Sequence, residues 1–204
     1  MRDPRFAKLV LLVNGLVPGA LLVWDASRGQ AGANPVNFAI RTTGILALTF
    51  LSLSLLVTPL RDVMGWNWLI QFRRTLGLYA FFYALAHFSI FFAFDRALSV
   101  RDTLSEMATR PYLIVGASGL LVMVPLAVTS TNRMIKRMGP KRWRALHRLA
   151  YVAAVAGVLH FYMLVKSDTR TPVAFGIVVG LLLGYRAAML LVRRARASTP
   201  RQPR

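Results

Sequence analysis

Six apolar runs of membrane-spanning length constrain this chain more than any other feature. They cover residues 9–24, 38–58, 76–94, 112–129, 145–165 and 173–192. Each approaches the roughly 20 residues a helix needs to cross the hydrocarbon layer. With 56% of its 204 residues hydrophobic, the chain has too little polar surface for a soluble domain. The expected fold is all-α: an integral membrane bundle of six transmembrane helices over residues 1–194. A basic, Pro-containing segment, 195–204, reads as a disordered cytoplasmic tail. The first run is short and contains Asn14 and Pro18. A secretory signal peptide competes there, because Arg2, Arg5 and Lys8 precede the run and AGA at 31–33 resembles a cleavage site. The length of the run and Trp24 at its end favour a retained helix.

The formal net charge of +19 would suggest nucleic acid in a soluble protein. In a membrane protein the distribution of charge matters more, because Lys and Arg gather in cytoplasmic loops. With the N-terminus placed inside, the inner segments hold 19 of the 26 basic residues, and the outer loops hold five of the seven acids. Both termini are therefore expected in the cytoplasm. Topology and anionic lipid in the bilayer then account for the charge, with no nucleic-acid partner. No nucleotide-binding motif is present. The absence of cysteine excludes disulfides, Cys-ligated iron–sulfur clusters, and haem held by thiolate or thioether. Any metal must use His or oxygen ligands.

Three histidines interrupt the apolar runs, and ionisable groups inside a membrane are functional candidates by default. His87 lies thirteen residues beyond Arg74, and His160 sixteen beyond Arg144. Both helices leave the basic face in the same direction, so the two rings are expected at nearly equal depth in the outer half of the membrane. Small residues flank them: Ala80, Tyr83 and Ala84 precede His87, and Ala153, Ala156 and Gly157 precede His160. Helical side chains lean toward the N-terminus, so these positions would line a pocket around each imidazole. Two imidazoles with room for a flat macrocycle suit a non-covalent bis-histidine b-type haem. Simple helix–helix hydrogen bonding is the competing role. Zinc is less well served, because no carboxylate is placed to complete its ligands.

His147 differs. On an ideal helix it sits about 140° around from His160, near the level of Arg73 and Arg74, with no histidine opposite. It could ligate a second iron only with a non-histidine partner or a rearranged helix. Otherwise Arg73, Arg74, Trp143 and His147 form an electron-entry site for a flavin phosphate or a quinone head group. An ordinary positive-inside anchor with an interfacial Trp explains the same residues. Arg186, in the sixth run, is expected to snorkel to the cytoplasmic face.

The stretches RRTLGLYAFFYALAHF (73–88), TRPYLIVG (109–116), TS (129–130), WRALHRLAYV (143–152) and LHFYMLVK (159–166) together resemble the MsrQ (YedZ) family. That family lies within the ferric-reductase-like transmembrane superfamily. The resemblance covers all six runs. It implies a haem-binding subunit of the bacterial inner membrane with haem b and flavin mononucleotide (FMN), and it carries the family histidines over to His87, His147 and His160. It further implies electrons drawn from the quinone pool or a cytosolic flavin reductase. These would pass to MsrP, a periplasmic molybdenum enzyme that reduces methionine sulfoxide in oxidised proteins, so the catalytic chemistry is expected on the partner. Two-haem members of the superfamily carry a second histidine on the third helix, where Arg73 stands here. That departure weighs against an inner haem and toward an inner flavin or quinone. The acids Asp95, Asp102, Glu106 and Asp168 mark the outer loops as the expected docking side. A small transporter or channel with a histidine proton relay is the alternative from a different class, as is a b-type cytochrome serving another acceptor.

Overall fold

A computed structural model describes residues 4–198, and these form helices and turns without a strand. The helices are α1 (Pro4–Ser27), α2 (Pro35–Met64), α3 (Arg73–Ile90), α4 (Val100–Thr109), α5 (Pro111–Val128), α6 (Asn132–Met138), α7 (Pro140–Leu146), α8 (Leu149–Leu164) and α9 (Arg170–Ser198). A 3₁₀ segment (Asn67–Phe72) leads into α3, and a π-helical turn (Phe91–Asp95) leaves it. Six helical stretches are long and apolar enough to cross a membrane, and each matches one of the runs read from the sequence, two of which end a single residue beyond their stretch. The chain is a multi-pass membrane protein. Helix α9 continues to Ser198, four residues into the segment read as a tail. Residues 199–204 lie outside the described residues.

Local chemistry sets the boundaries. Helix α2 starts where the Asn34 side chain accepts the Asn37 N–H at 2.9 Å and Pro35 occupies the first turn, where its missing N–H costs nothing. It stops at Gly65, whose φ of 71° is a left-handed conformation that favours glycine. Its N–H returns to the Arg61 carbonyl at 3.0 Å. The sequence reading missed α4, α6 and α7, because none is long enough to span. α4 begins at a Ser99 cap, with the Asp102 N–H donating to the Ser99 hydroxyl at 3.2 Å. At this end of the bundle Arg96 binds Asp95 at 2.7 Å and Glu106 at 2.9 Å, and Arg110 binds Glu106 at 2.7 Å. The hydrogen bonds that Arg96 donates to Asp95 hold its guanidinium above its ordinary pKa. Asp95 and Glu106, two of the acids expected to face a partner, are thus already paired within the chain.

The bundle is built from two tightly packed helix pairs, α2 with α3 and α5 with α8. Leu55, Ala80 and Ala154 are the most buried of their contacts. α9 closes one side against α8 and α2. α1 is peripheral and is held by two tyrosines of α3. Pro18 has no N–H to give the Asn14 carbonyl, and the next rung of the ladder opens as well. The Tyr83 hydroxyl enters that opening, donating to the Gly15 carbonyl at 2.8 Å and accepting the Gly19 N–H at 3.0 Å. Tyr79 donates to the Leu12 carbonyl one turn earlier. A Cβ on Gly15 would overlap the Tyr79 ring, so the glycine lets the two helices approach.

Candidate functional site

The structure brings His87 of α3 and His160 of α8 together, with ring centroids 5.9 Å apart and ring planes at 87°. Both rings are half-buried. Each uses its Nδ1 in the same way. His87 Nδ1 lies 2.8 Å from the Ile40 carbonyl of α2, and His160 Nδ1 lies 2.7 Å from the Tyr112 carbonyl of α5. A carbonyl only accepts, so in each neutral ring the proton sits on Nδ1 and the Nε2 lone pair is free. Metal-binding histidines commonly show this tautomer, with the other ring N–H donated to a carbonyl.

The donor set fits haem. His87 and His160 would hold the iron through Nε2, and their rings are near enough to serve one group between them. Among the described residues no group of three or more His, Cys, Asp or Glu converges on one point. A porphyrin supplies its own four equatorial nitrogens and asks the protein only for axial ligands. A structural zinc needs three or four protein ligands.

The predicted lining residues fall in several places. Ala80 and Ala153 are buried in the core, at 0% and 3% exposed. Ala156 faces Gly119 of α5, and Gly157 faces Leu48 of α2. Tyr83 stacks on Phe50 at 5.4 Å and sends its hydroxyl to α1. Ala84 is half-buried beside the core. The sequence reading missed the Ile40 and Tyr112 carbonyls, and it missed Gly44 and Gly116, which lie against the two Nδ1 atoms.

The opposite, basic end of the bundle gathers Arg73, Arg74, Trp143 and His147 around one cavity of about 190 Å³, with Ser54 and Gly77 on its α2–α3 side. His147 stands at a break: α7 stops at Leu146 and α8 starts at Leu149. Three-residue hydrogen bonds carry the chain across, Arg148 N–H to Ala145, Ala150 N–H to His147 and Tyr151 N–H to Arg148. The angle of about 140° therefore does not apply, since it assumes one ideal helix.

Thr129 organises this end. Its backbone carbonyl accepts the Trp143 indole N–H at 2.9 Å. Its hydroxyl donates to the Pro125 carbonyl at 2.6 Å and lies 3.1 Å from His147 Nε2. With its proton committed to Pro125, the hydroxyl oxygen accepts from Nε2–H, which leaves Nδ1 as the basic nitrogen of His147. The Trp143 and His147 rings stack at 3.9 Å. Arg74 donates to the Asn132 side chain at 2.6 Å, and Ser54 donates to the Arg73 carbonyl at 3.0 Å.

Arg186 does not snorkel. It donates to the Leu55 carbonyl at 2.7 Å and to the Tyr151 hydroxyl at 2.7 Å, with its guanidinium 5.0 Å over the Tyr151 ring. The cause lies four residues after Leu55, where Pro59 has no N–H to satisfy that carbonyl. Arg186 takes its place from another helix.

A family model described as ferric reductase like transmembrane component matches residues 43–158. Similar proteins bear the name protein-methionine-sulfoxide reductase heme-binding subunit MsrQ. The one from Herminiimonas arsenicoxydans is 44% identical over 93% of this chain and 88% of its own length. That from Agrobacterium fabrum is 44% identical over 92% and 88%. That from Rhodospirillum rubrum is 41% identical over 96% and 94%. Near-full-length similarity at this level, on a six-span bundle with facing histidines, establishes that the chain belongs to the MsrQ family of ferric-reductase-like transmembrane proteins.

Proposed function

We propose that the chain is a b-type haem electron conduit of the bacterial inner membrane. In this reading His87 and His160 are the axial ligands, and electrons enter at the basic end and leave at the opposite one. The observation that carries it is the facing pair of imidazoles, each with Nδ1 committed to a helix carbonyl and Nε2 free. Bound haem supplies a one-electron iron couple whose potential the axial imidazoles and the dry surroundings tune. The protein's part is to hold both Nε2 atoms in place and to keep water out with the apolar bundle.

At the basic end the cavity is smaller than the roughly 300 Å³ of ordinary small-molecule pockets, which favours one ring system with its remainder outside. A quinol head group meets this limit, and the edge of an FMN ring is the second candidate. Trp143 and His147 offer a stacked aromatic surface, and Arg73 and Arg74 favour an anionic oxygen or phosphate. His147 Nδ1 can accept a hydroxyl proton while Thr129 holds Nε2–H. Both termini then face the cytoplasm. The acceptor is a periplasmic molybdenum-dependent methionine sulfoxide reductase, MsrP, which carries the catalysis. The donor is the quinone pool or a cytosolic flavin reductase. The names of the relatives support the haem and the methionine sulfoxide reductase system.

A reduced-minus-oxidised absorption spectrum of the purified chain tests the core of this proposal. Reducible b-type Soret and α bands are expected. Their absence after expression with adequate haem overturns the conduit and leaves the proton-relay alternative. Flavin and quinone extraction from the same sample identifies the occupant of the basic end.

A further inference from the structure

The two imidazole sites are built to one plan. In each, an earlier helix offers a carbonyl to Nδ1, at a separation of 47 residues for His87 and 48 for His160. In each, the residue four positions beyond that carbonyl is glycine: Gly44 after Ile40, and Gly116 after Tyr112. Helix geometry explains the offset. Cα–Cβ bonds tilt toward the helix N-terminus, so a side chain at position i+4 leans over the carbonyl of residue i. That carbonyl already accepts the N–H of residue i+4 within the helix, and the imidazole must reach its uncovered side; at Ile40 the Thr43 hydroxyl also lies 3.0 Å away, with its shorter bond to Ala39 at 2.7 Å. A Cβ on Gly44 would stand 3.0 Å from His87 Nδ1, and one on Gly116 would stand 2.6 Å from His160 Nδ1. Packing between helices alone does not require this, because the atoms met are the imidazole nitrogens and their neighbouring ring carbons.

We propose that Gly44 and Gly116 are positioning residues for the two axial histidines, which rests on the haem reading above. Each keeps a helix carbonyl open to the Nδ1–H of its histidine, and so fixes ring orientation and raises the electron donation of Nε2. The two cradles are unequal. His160 is held more tightly, with the added Cβ also 2.9 Å from Cε1 and 3.1 Å from Cγ, whereas at His87 the ring carbon Cγ stays 3.8 Å away. Gly116 is therefore the less replaceable of the two.

The test compares Gly116→Ala, Gly44→Ala and Gly15→Ala in the purified full-length chain. Gly15→Ala imposes a comparable overlap, on Tyr79 of the α1–α3 contact, with no imidazole involved. Haem transfer to excess apomyoglobin reads affinity, a redox titration reads the midpoint potential, and electron paramagnetic resonance reads the ferric ligand field. Gly116→Ala is expected to weaken haem retention about tenfold or more, the usual cost when a metal-binding histidine loses the hydrogen-bond partner of its other nitrogen. It should also raise the midpoint potential of what remains, because a less basic imidazole stabilises the ferric state less. Gly44→Ala should shift both readings the same way by less, and it decides the matter if Gly116→Ala fails to accumulate. Gly15→Ala should leave potential and resonance at the wild-type values.

Wild-type retention and potential in both cradle variants overturn the inference, as does a Gly15→Ala shift equal to that of Gly116→Ala. A wild-type sample without a bis-histidine b spectrum instead removes the haem reading beneath it, so the two failures are distinguishable.

Discussion

The two ends of the bundle hold histidine by opposite means. At the His87–His160 level the rings sit on continuous helices, and each is oriented by a backbone carbonyl of a neighbouring helix. At the His147 level the helix is broken, and the ring is oriented by a side-chain hydroxyl and a stacked indole. Backbone carbonyls in long helices move little, which would suit the proposed task of keeping two imidazoles on one ion. A side-chain hydroxyl, a tight turn and arginines around a cavity suit a site where a ligand comes and goes or a proton is taken up. The difference teaches how, on the proposed function, one residue type would serve two tasks, set by what holds its second nitrogen.

The largest effect should come from the ligands themselves. His87→Ala and His160→Ala are each expected to abolish the b-type haem of this level, measured as pyridine haemochromogen per protein. His147→Ala should leave that haem in place and impair its reduction by quinol. If His147→Ala alone empties the His87–His160 level, the division between the ends is wrong. The ring planes at 87° add a spectroscopic expectation. Nearly perpendicular axial imidazoles give a highly anisotropic low-spin ferric signal, whereas a signal typical of parallel planes would contradict the geometry.

Much of this contrast was legible in the sequence. Counting from the basic face works for His87 because α3 is unbroken, and for His160 because the short break between Arg144 and α8 changes depth far less than it changes angle; the rings do lie together. The count for His147 assumed the same regularity and lost its meaning at the break. The carbonyl cradles were not legible, because a backbone acceptor has no signature and Gly44 gains its role only when α2 is laid against α3. Gly116 was visible inside TRPYLIVG, yet nothing local distinguishes it from a packing glycine. Arg186 was misjudged because its partner is a carbonyl exposed by a proline on a helix 131 residues away.

The next largest effect belongs to the arginines. Charge-assisted hydrogen bonds contribute about 1.5–3 kcal/mol each, which corresponds to roughly a tenfold to hundredfold change in binding. Arg73→Leu should therefore raise the quinol concentration needed for half-maximal haem reduction by about that factor, with the haem spectrum unchanged. An altered spectrum with unaltered quinol dependence would move Arg73 from the entry site to the haem.

Arg186 offers a stability contrast at the same end. Arg186→Met leaves the Leu55 carbonyl without a donor, which should cost about 1–3 kcal/mol in detergent unfolding. Pro59→Ala restores an N–H for that carbonyl, so the double variant should recover most of the loss, a coupling that a double-mutant cycle measures. Additive losses would mean that Arg186 acts through Tyr151 or its charge instead.

The smallest expected effect makes the finest division. Thr129 supplies two acceptors, a backbone carbonyl for Trp143 and a hydroxyl oxygen for His147. Thr129→Val keeps the carbonyl and nearly the same shape but removes the hydroxyl, and with it both the bond from His147 and the one to Pro125, whose carbonyl still accepts the Thr129 N–H. Of these, the bond from His147 is the one that bears on the site, and its loss is worth about 1 kcal/mol, or roughly fivefold in the rate of haem reduction by quinol. Thr129→Ser keeps the hydroxyl and should stay near wild type. If His147 serves as a proton acceptor through Nδ1, the Val variant should also change the pH dependence of that rate, because Nε2–H is no longer held and the ring can exchange tautomers. A Val variant slowed equally at every pH would reduce His147 to a packing partner of Trp143, and the basic end would differ from the haem end in shape alone.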